Sequence, residues 1–247
     1  MNLKTFFKNN PALALGFSGG VDSSYLLYAG QKYGAKIKAY FIKTAFQPEF
    51  ELKDAYRIAG QLGTEITVLH NDVLSDPVVA SNPVRRCYHC KLRLFSLIKE
   101  QALKDGFPVI IDGTNASDNA LDRPGMQALS ELGVLSPLKE CGITKDEVRR
   151  LSKEVGLFTW DKPAYACLAT RIPVDMPITA ELLFKVERSE EALFSLGFTD
   201  FRVRVYGEGA RLQLRPDQMA GALSQREAII AAIKPYFPVI LMDLAGR

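Results

Sequence analysis

Apolar and polar positions along the first half of the chain switch between two periods. Short apolar runs at 12–17, 37–42, 66–69 and 109–111 read as strands, and the first ends in a Gly-rich turn. Between them, 22–33 has helical spacing through Tyr25, Leu26, Ala29 and Tyr33. The stretch 50–62 is helical with Gly63 as a stop, and 91–103 is helical after a loop rich in Asn, Pro and Asp. Strands separated by helices imply a parallel sheet covered on both faces, with ligands beyond the carboxyl ends of its strands. Thr144 opens a further helix, and Glu147 three residues on completes a capping box.

A Pro-containing link at 162–177 follows, and the order then changes. A helix at 179–196 precedes strands at 201–205 and 211–214 joined through Gly207 and Gly209, then a helix at 217–233 and a strand at 239–242. The predicted fold class is α/β: a parallel-sheet domain over 1–172 and a small α+β lobe over 173–247.

Composition narrows the class. With 247 residues, 47% apolar and 24% charged, the chain can bury a sizeable core without a disulfide or metal staple, which excludes disorder, coiled coil and collagen-like repeats. The net charge of +3 is too mild to mark a nucleic-acid binder, although it allows a local basic cleft. No apolar run is long enough to span a bilayer. Residues 1–17, with Lys4 and Lys8 ahead of a short apolar stretch, superficially resemble a signal peptide, but that stretch runs directly into the Gly-Ser turn. A cytoplasmic protein is expected, and four cysteines are too few for a secreted disulfide scaffold of this size.

The turn is Ser18-Gly19-Gly20-Val21-Asp22-Ser23-Ser24. Gly19 and Gly20 permit backbone angles closed to other residues and let main-chain N–H groups approach an anion. Ser18, Ser23 and Ser24 add hydroxyls, and the helix start adds partial positive charge. Asp22 would repel a phosphate unless a divalent cation intervenes, which argues for Mg²⁺. The loop is neither a Walker loop nor G-x-G-x-x-G. It resembles the SGGxDS signature of the PP-loop (N-type) ATP pyrophosphatases at every defined position, which implies ATP cleavage between the α and β phosphates with pyrophosphate held here. Asp112-Gly113-Thr114-Asn115, after the fourth strand, looks like the G-T-N element that these enzymes place beside the nucleotide. An ordinary strand-to-helix turn with Ser117 as N-cap is the alternative for that segment.

Sulfur chemistry is the other theme. In Arg85-Arg86-Cys87-Tyr88-His89-Cys90-Lys91, two thiols lie three positions apart among cations that favour the thiolate, and Cys167 sits in Cys167-Leu168-Ala169-Thr170-Arg171. Three uses stay open: a 4Fe–4S cluster with one iron open to a non-protein ligand, four-thiolate zinc with Cys141 as the fourth ligand, or thiols that react or pack without metal. The phosphate loop, the R-C-Y-x-C-K and C-L-A-T-R stretches and the α+β tail together resemble the LarE family of ATP-dependent sulfur transferases over nearly the whole chain. Members convert pyridinium-3,5-biscarboxylic acid mononucleotide towards a nickel-pincer nucleotide cofactor. One branch sacrifices the sulfur of a cysteine matching Cys167, which ends as dehydroalanine. Another holds a 4Fe–4S cluster on cysteines matching Cys87, Cys90 and Cys167. All three are present, so the resemblance implies the cluster-bearing branch, with Cys141 structural.

Arg171, Arg202 and Arg204 are candidate clamps for the substrate's phosphate or carboxylates, Arg202 and Arg204 sharing one face of a strand. Glu187, Glu190 and Glu191 read as a solvated helix face, and Trp160 as packing. His70 and His89 suggest no hydrolase triad. The expectation is an enzyme that adenylates a carboxylate with ATP and Mg²⁺ and then forms a thiocarboxylate, with Asp22 and Cys167 carrying the chemistry. Its expected partners are a pyridinium mononucleotide, sulfide or another sulfur donor, and further copies of itself, with no membrane and no favoured nucleic acid. A PP-loop tRNA thiolase and a non-catalytic nucleotide-binding or zinc-held protein are the alternatives.

Overall fold

The computed structural model describes residues 1–118 and 124–247. In chain order the elements are α1 (Leu3–Asn9), β1 (Ala12–Gly16), α2 (Val21–Lys32), β2 (Lys36–Lys43), α3 (Glu49–Gln61), β3 (Ile66–His70), α4 (Pro77–Ala80), α5 (Arg86–Lys104), β4 (Val109–Ile111), α6 (Pro124–Glu131), α7 (Pro137–Glu140) and α8 (Lys145–Glu154). They continue with α9 (Ala180–Ser195), β5 (Arg202–Tyr206), β6 (Gly209–Gln213), α10 (Met219–Ser224), α11 (Arg226–Ile233) and β7 (Ile240–Met242). Two units divide them: Met1–Asp72 with Arg85–Lys162, and Val73–Val84 with Pro163–Arg247.

The first unit is built on an all-parallel sheet in the order β3-β2-β1-β4. Successive side chains on each strand point to opposite faces, and both faces are buried. Leu13, Leu15, Phe41 and Ile111 enter one core with Leu26 and Ile58, whereas Ala14, Tyr40 and Ile110 enter the other with Ile98 and Leu129. The strand order reverses direction beside β1, so the crevice favoured for ligands lies past the ends of β1 and β4. The first residues are part of this unit: Asn2 caps α1 by accepting from Thr5 N at 2.9 Å, and Leu3, Phe6 and Phe7 are buried. Among the described residues, no helix is long and apolar enough to cross a membrane.

In the second unit, β5 and β6 form an antiparallel hairpin and β7 joins β6 in parallel. Leu183, Val186 and Leu193 of α9 are buried with Val203, Leu212 and Ile233. Val73–Val84 belongs to this unit through main-chain bonds: Ile178 N donates to Ala80 O at 2.7 Å, and Asp175 N donates to Asn82 O at 2.9 Å. The buried Asn82 amide adds donations to Pro173 O (2.7 Å) and Met176 O (3.2 Å).

Two predicted elements differ. The helix expected at 91–103 begins at Arg86, so Cys87 and Cys90 are helical; the only buried residue before Ile98 is Arg86, which left no apolar period to read. The single helix expected at 217–233 breaks at Gln225 into α10 and α11. There the Ser224 hydroxyl bonds back to Gly221 O at 2.8 Å, a local bond that competes with helix continuation.

Candidate functional site

The turn after β1 is shaped by close backbone approaches. Gly19 has φ +68°, and a Cβ there would meet the Ala55 backbone of α3 at 3.1 Å. Gly20 is the N-cap of α2 and offers no side-chain cap, which leaves the first amides of the helix for an external acceptor. Serines organise the turn internally. Ser18 N donates to Ser23 Oγ (3.3 Å), the two hydroxyls lie 3.2 Å apart, and Gly20 N donates to Ser18 Oγ at 3.3 Å. Val21 and Ser24 face inward: Val21 joins the first core, and the fully buried Ser24 hydroxyl has no hydrogen-bond partner among the described residues.

The 112–118 turn lies directly against the start of α2. A Cβ on Gly113 would come within 3.2 Å of Asp22 Cβ and Ser23 N, so a side chain there would push the two segments apart by a few tenths of an ångström. Buried Asp112 accepts from the Thr114 hydroxyl and, at 2.7 Å, from Ser136 Oγ. Asn115 donates through Nδ2 to Asp22 Oδ1 at 3.2 Å and accepts from Ser117 N at 2.9 Å. The other Asp22 oxygen receives Lys145 Nζ at 2.5 Å. Both Asp22 oxygens are therefore engaged, one by an amide and one by an ammonium. The Ser117 hydroxyl accepts from Lys145 N, at the start of α8, at 3.0 Å; the helix that Ser117 would cap as its own N-cap lies outside the described residues. Lys145 was not anticipated, because it follows the capping residue Thr144 and belongs to no motif; its pairing is visible only once α8 is placed.

In the second unit the three candidate arginines converge on the main chain around Cys167. Arg171 donates to Ala166 O at 2.7 Å, Arg202 to Ala164 O at 2.6 Å, and Arg204 to Thr170 O at 2.5 Å. Arg171 is itself buried in a two-point pair with Glu190, at 2.8 and 3.1 Å. Glu190 therefore does not belong to a solvated face. It is 2% exposed and also accepts from Val203 N at 3.0 Å and from the Tyr165 hydroxyl. Burial opposes Arg171's charge, but the bonds and charge of Glu190 outweigh it and raise its pKa. Arg202 has no such partner, and burial together with the Arg171 charge pushes its pKa down to about 10. Burial lowers Arg204 as well, with Arg171 and Arg211 adding to it. Three guanidinium groups around one buried carboxylate leave this segment with surplus positive charge.

None of the four cysteines is in a disulfide. Cys87 and Cys90 occupy the first turns of α5, three positions apart and so on one helix face. Cys87 is exposed and its Sγ accepts from Arg86 Nη2 at 3.5 Å. Cys167 is in the other unit, where it is the N-cap of a 3-10 turn over Leu168–Arg171. Cys141 packs against the first core, and burial raises its thiol pKa. Among the described residues, no group of three or more His, Cys, Asp or Glu side chains is gathered where it could hold a metal ion. Trp160 lies under the Lys153 ammonium, 4.4 Å from the ring centre.

No protein-family model matches the chain. It is 38% identical to the uncharacterized protein slr1717 of Synechocystis, over 88% of this chain and 82% of that one. It is 28% identical to the pyridinium-3,5-bisthiocarboxylic acid mononucleotide synthase of Lactiplantibacillus plantarum, over 97% of this chain and 88% of the synthase. A tRNA-specific 2-thiouridylase MnmA of Thermotoga is 28% identical over 59% of this chain and 52% of its own length. Together with a glycine turn that ends β1 and meets the G-T-N turn after β4, these similarities show that the chain belongs to the PP-loop ATP pyrophosphatase superfamily, in one family with the Synechocystis protein.

Proposed function

We propose that this chain is an ATP-dependent sulfur transferase that converts a carboxylate of pyridinium-3,5-biscarboxylic acid mononucleotide into a thiocarboxylate. The observation that carries the reading is the convergence of Arg171, Arg202 and Arg204 on the 164–170 segment that bears Cys167, which sets a thiol beside surplus positive charge suited to an anionic substrate. The synthase similarity over 97% of the chain supports the substrate class.

The chain's residues then divide the work. The 18–24 turn and the 113–115 turn hold the nucleotide, and Asp22 holds Mg²⁺, which neutralises charge on the phosphates. A substrate carboxylate oxygen bonds to the α-phosphorus as pyrophosphate leaves, giving an acyl-adenylate. Sulfur then bonds to the acyl carbon and AMP departs with the oxygen. Arg202 and Arg204 bind the substrate's anionic groups, and Arg171, already paired, positions the segment. The family resemblance, rather than any gathering of thiols, assigns a 4Fe–4S cluster to Cys87, Cys90 and Cys167; when bound it would supply a coordination position for incoming sulfur.

Anaerobic purification with iron and sulfide quantification, followed by turnover and intact-mass measurement, tests this reading. Bound iron, loss of transfer but not of AMP formation in Cys87→Ala or Cys90→Ala, and an unchanged polypeptide mass are expected. Transfer that persists in those variants while the wild-type chain loses H₂S at Cys167 would replace the cluster route with the sacrificial one. Failure to form AMP with any carboxylate removes the enzyme reading altogether.

A further inference from the structure

We propose that Tyr165 is a positioning residue: by filling the last acceptor position on Glu190, its hydroxyl keeps the Arg202 guanidinium out of an internal ion pair and available to an anionic ligand. This rests on the reading of the arginines as anion clamps and deepens it. A carboxylate offers about four lone-pair positions on its two oxygens. On Glu190 they are all taken. Oε1 accepts from Arg171 Nε at 2.8 Å and from Val203 N at 3.0 Å, and Oε2 accepts from Arg171 Nη2 at 3.1 Å and from the Tyr165 hydroxyl. Two of these bonds belong to the buried Arg171 pair and one to the main chain of β5. The Tyr165 hydroxyl is the donor that can be removed without touching a charge or the backbone.

Arg202 is where a vacated position would be felt. It is 6% exposed, and a guanidinium buried without a carboxylate is unfavourable for the fold. Its bonds run to neutral carbonyls, Nη1 to Phe201 O and Nη2 to Ala164 O, each at 2.6 Å. Glu190 is close at hand, since it already holds the amide of Val203, the next residue on β5. The Tyr165 ring adds a second restraint. Its centre lies 4.5 Å from the Arg171 guanidinium carbon and 5.2 Å from that of Arg202. Attraction to a ring steadies a cation without consuming its N–H donors, so Arg202 keeps donors for a ligand. The same two arginines hold the carbonyls on either side of Tyr165, Ala164 O and Ala166 O, two residues from Cys167 at most three. Phenylalanine would supply the same ring; what it lacks is the bond to Glu190.

¹⁵N NMR titration of the arginine Nε–H signals of the full chain, with inorganic phosphate and with pyridinium-3,5-biscarboxylic acid mononucleotide, tests the proposal in wild type, Tyr165→Phe and Tyr165→Leu. The Arg202 signal is the one missing from Arg202→Lys, and its movement reports anions bound at that guanidinium rather than at the phosphate loop. In Tyr165→Phe the Arg202 signal is expected to be displaced before any ligand is added. Affinity for both anions is expected to fall about 10-fold, the low end for one charged hydrogen bond, with ATP affinity by calorimetry as in wild type. Tyr165→Leu, which loses ring and hydroxyl, is expected to lose at least as much, so either variant decides the matter if the other does not fold. Unchanged anion affinity in the variants overturns the proposal, as does a loss in Tyr165→Phe with the Arg202 signal of the free protein where it is in wild type. A wild-type chain whose Arg202 signal neither anion moves overturns it too, whether or not sulfur is transferred. Tyr165-dependent phosphate binding at Arg202 in a chain that transfers no sulfur supports the inference and removes only the sulfur-transferase reading.

Discussion

Past the end of β1, positive character comes from a glycine turn, an uncapped helix start and a lysine set against one aspartate. Around 164–170, in the second unit, it comes from three guanidinium groups, of which Arg171 takes the carboxylate of Glu190 and Arg202 and Arg204 bond main-chain carbonyls. In the first arrangement the turn and helix start are backbone and local in sequence, and Lys145 alone comes from far along the chain. The second is side chain, buried and assembled from segments far apart, so its parts depend on one another. A backbone turn fails when it is distorted; a buried arginine cluster fails when the carboxylate that pairs with Arg171 is removed.

The largest effect should follow from Glu190→Ala. Arg171 would remain buried without its carboxylate, a change worth about 3–5 kcal/mol. Denaturant unfolding should show that loss with ATP binding by the first unit preserved; a loss under 1 kcal/mol would mean that the two regions do not differ as described. Next comes Asp22→Asn, which keeps the volume and removes the charge that holds a cation. AMP formation should fall about 100- to 1000-fold while the melting temperature barely moves. Near-normal AMP production would contradict the placement of the metal at the loop.

How much of this was legible in the sequence follows the same division. The parallel sheet could be read from its four apolar runs, and the tight turn after β1 from a contiguous Gly-Ser motif. Glu190 was read as solvated because Glu187, Glu190 and Glu191 look alike in sequence; only the packing of α9 against β5 buries one of them. Lys145 escaped because its partner is distant along the chain and no local pattern links them. Cys87 and Cys90 stood out by spacing, but their helix did not, since its first turns lack apolar periodicity.

The smallest effect sharpens the comparison at a single side chain. Arg204→Ala, which keeps Arg171 and Glu190 paired, should weaken binding of the anionic substrate by about 1.5–3 kcal/mol and leave ATP affinity as it was. Parallel titrations with the mononucleotide and with ATP would read both numbers, and equal losses would argue that Arg204 only braces the Thr170 carbonyl it contacts.

The membership of Val73–Val84 in the second unit has a consequence for how the protein is made. During synthesis this segment leaves the ribosome seconds before its partners at 163–247 exist, given elongation at about 5–20 residues per second. The carbonyls of Ala80 and Asn82 must wait for Ile178 and Asp175, the residues that donate to them, to be synthesised. The second unit therefore cannot fold as an independent late arrival, and a gene fragment encoding only its C-terminal portion would lack the strand of chain that Asp175 and Ile178 bond to.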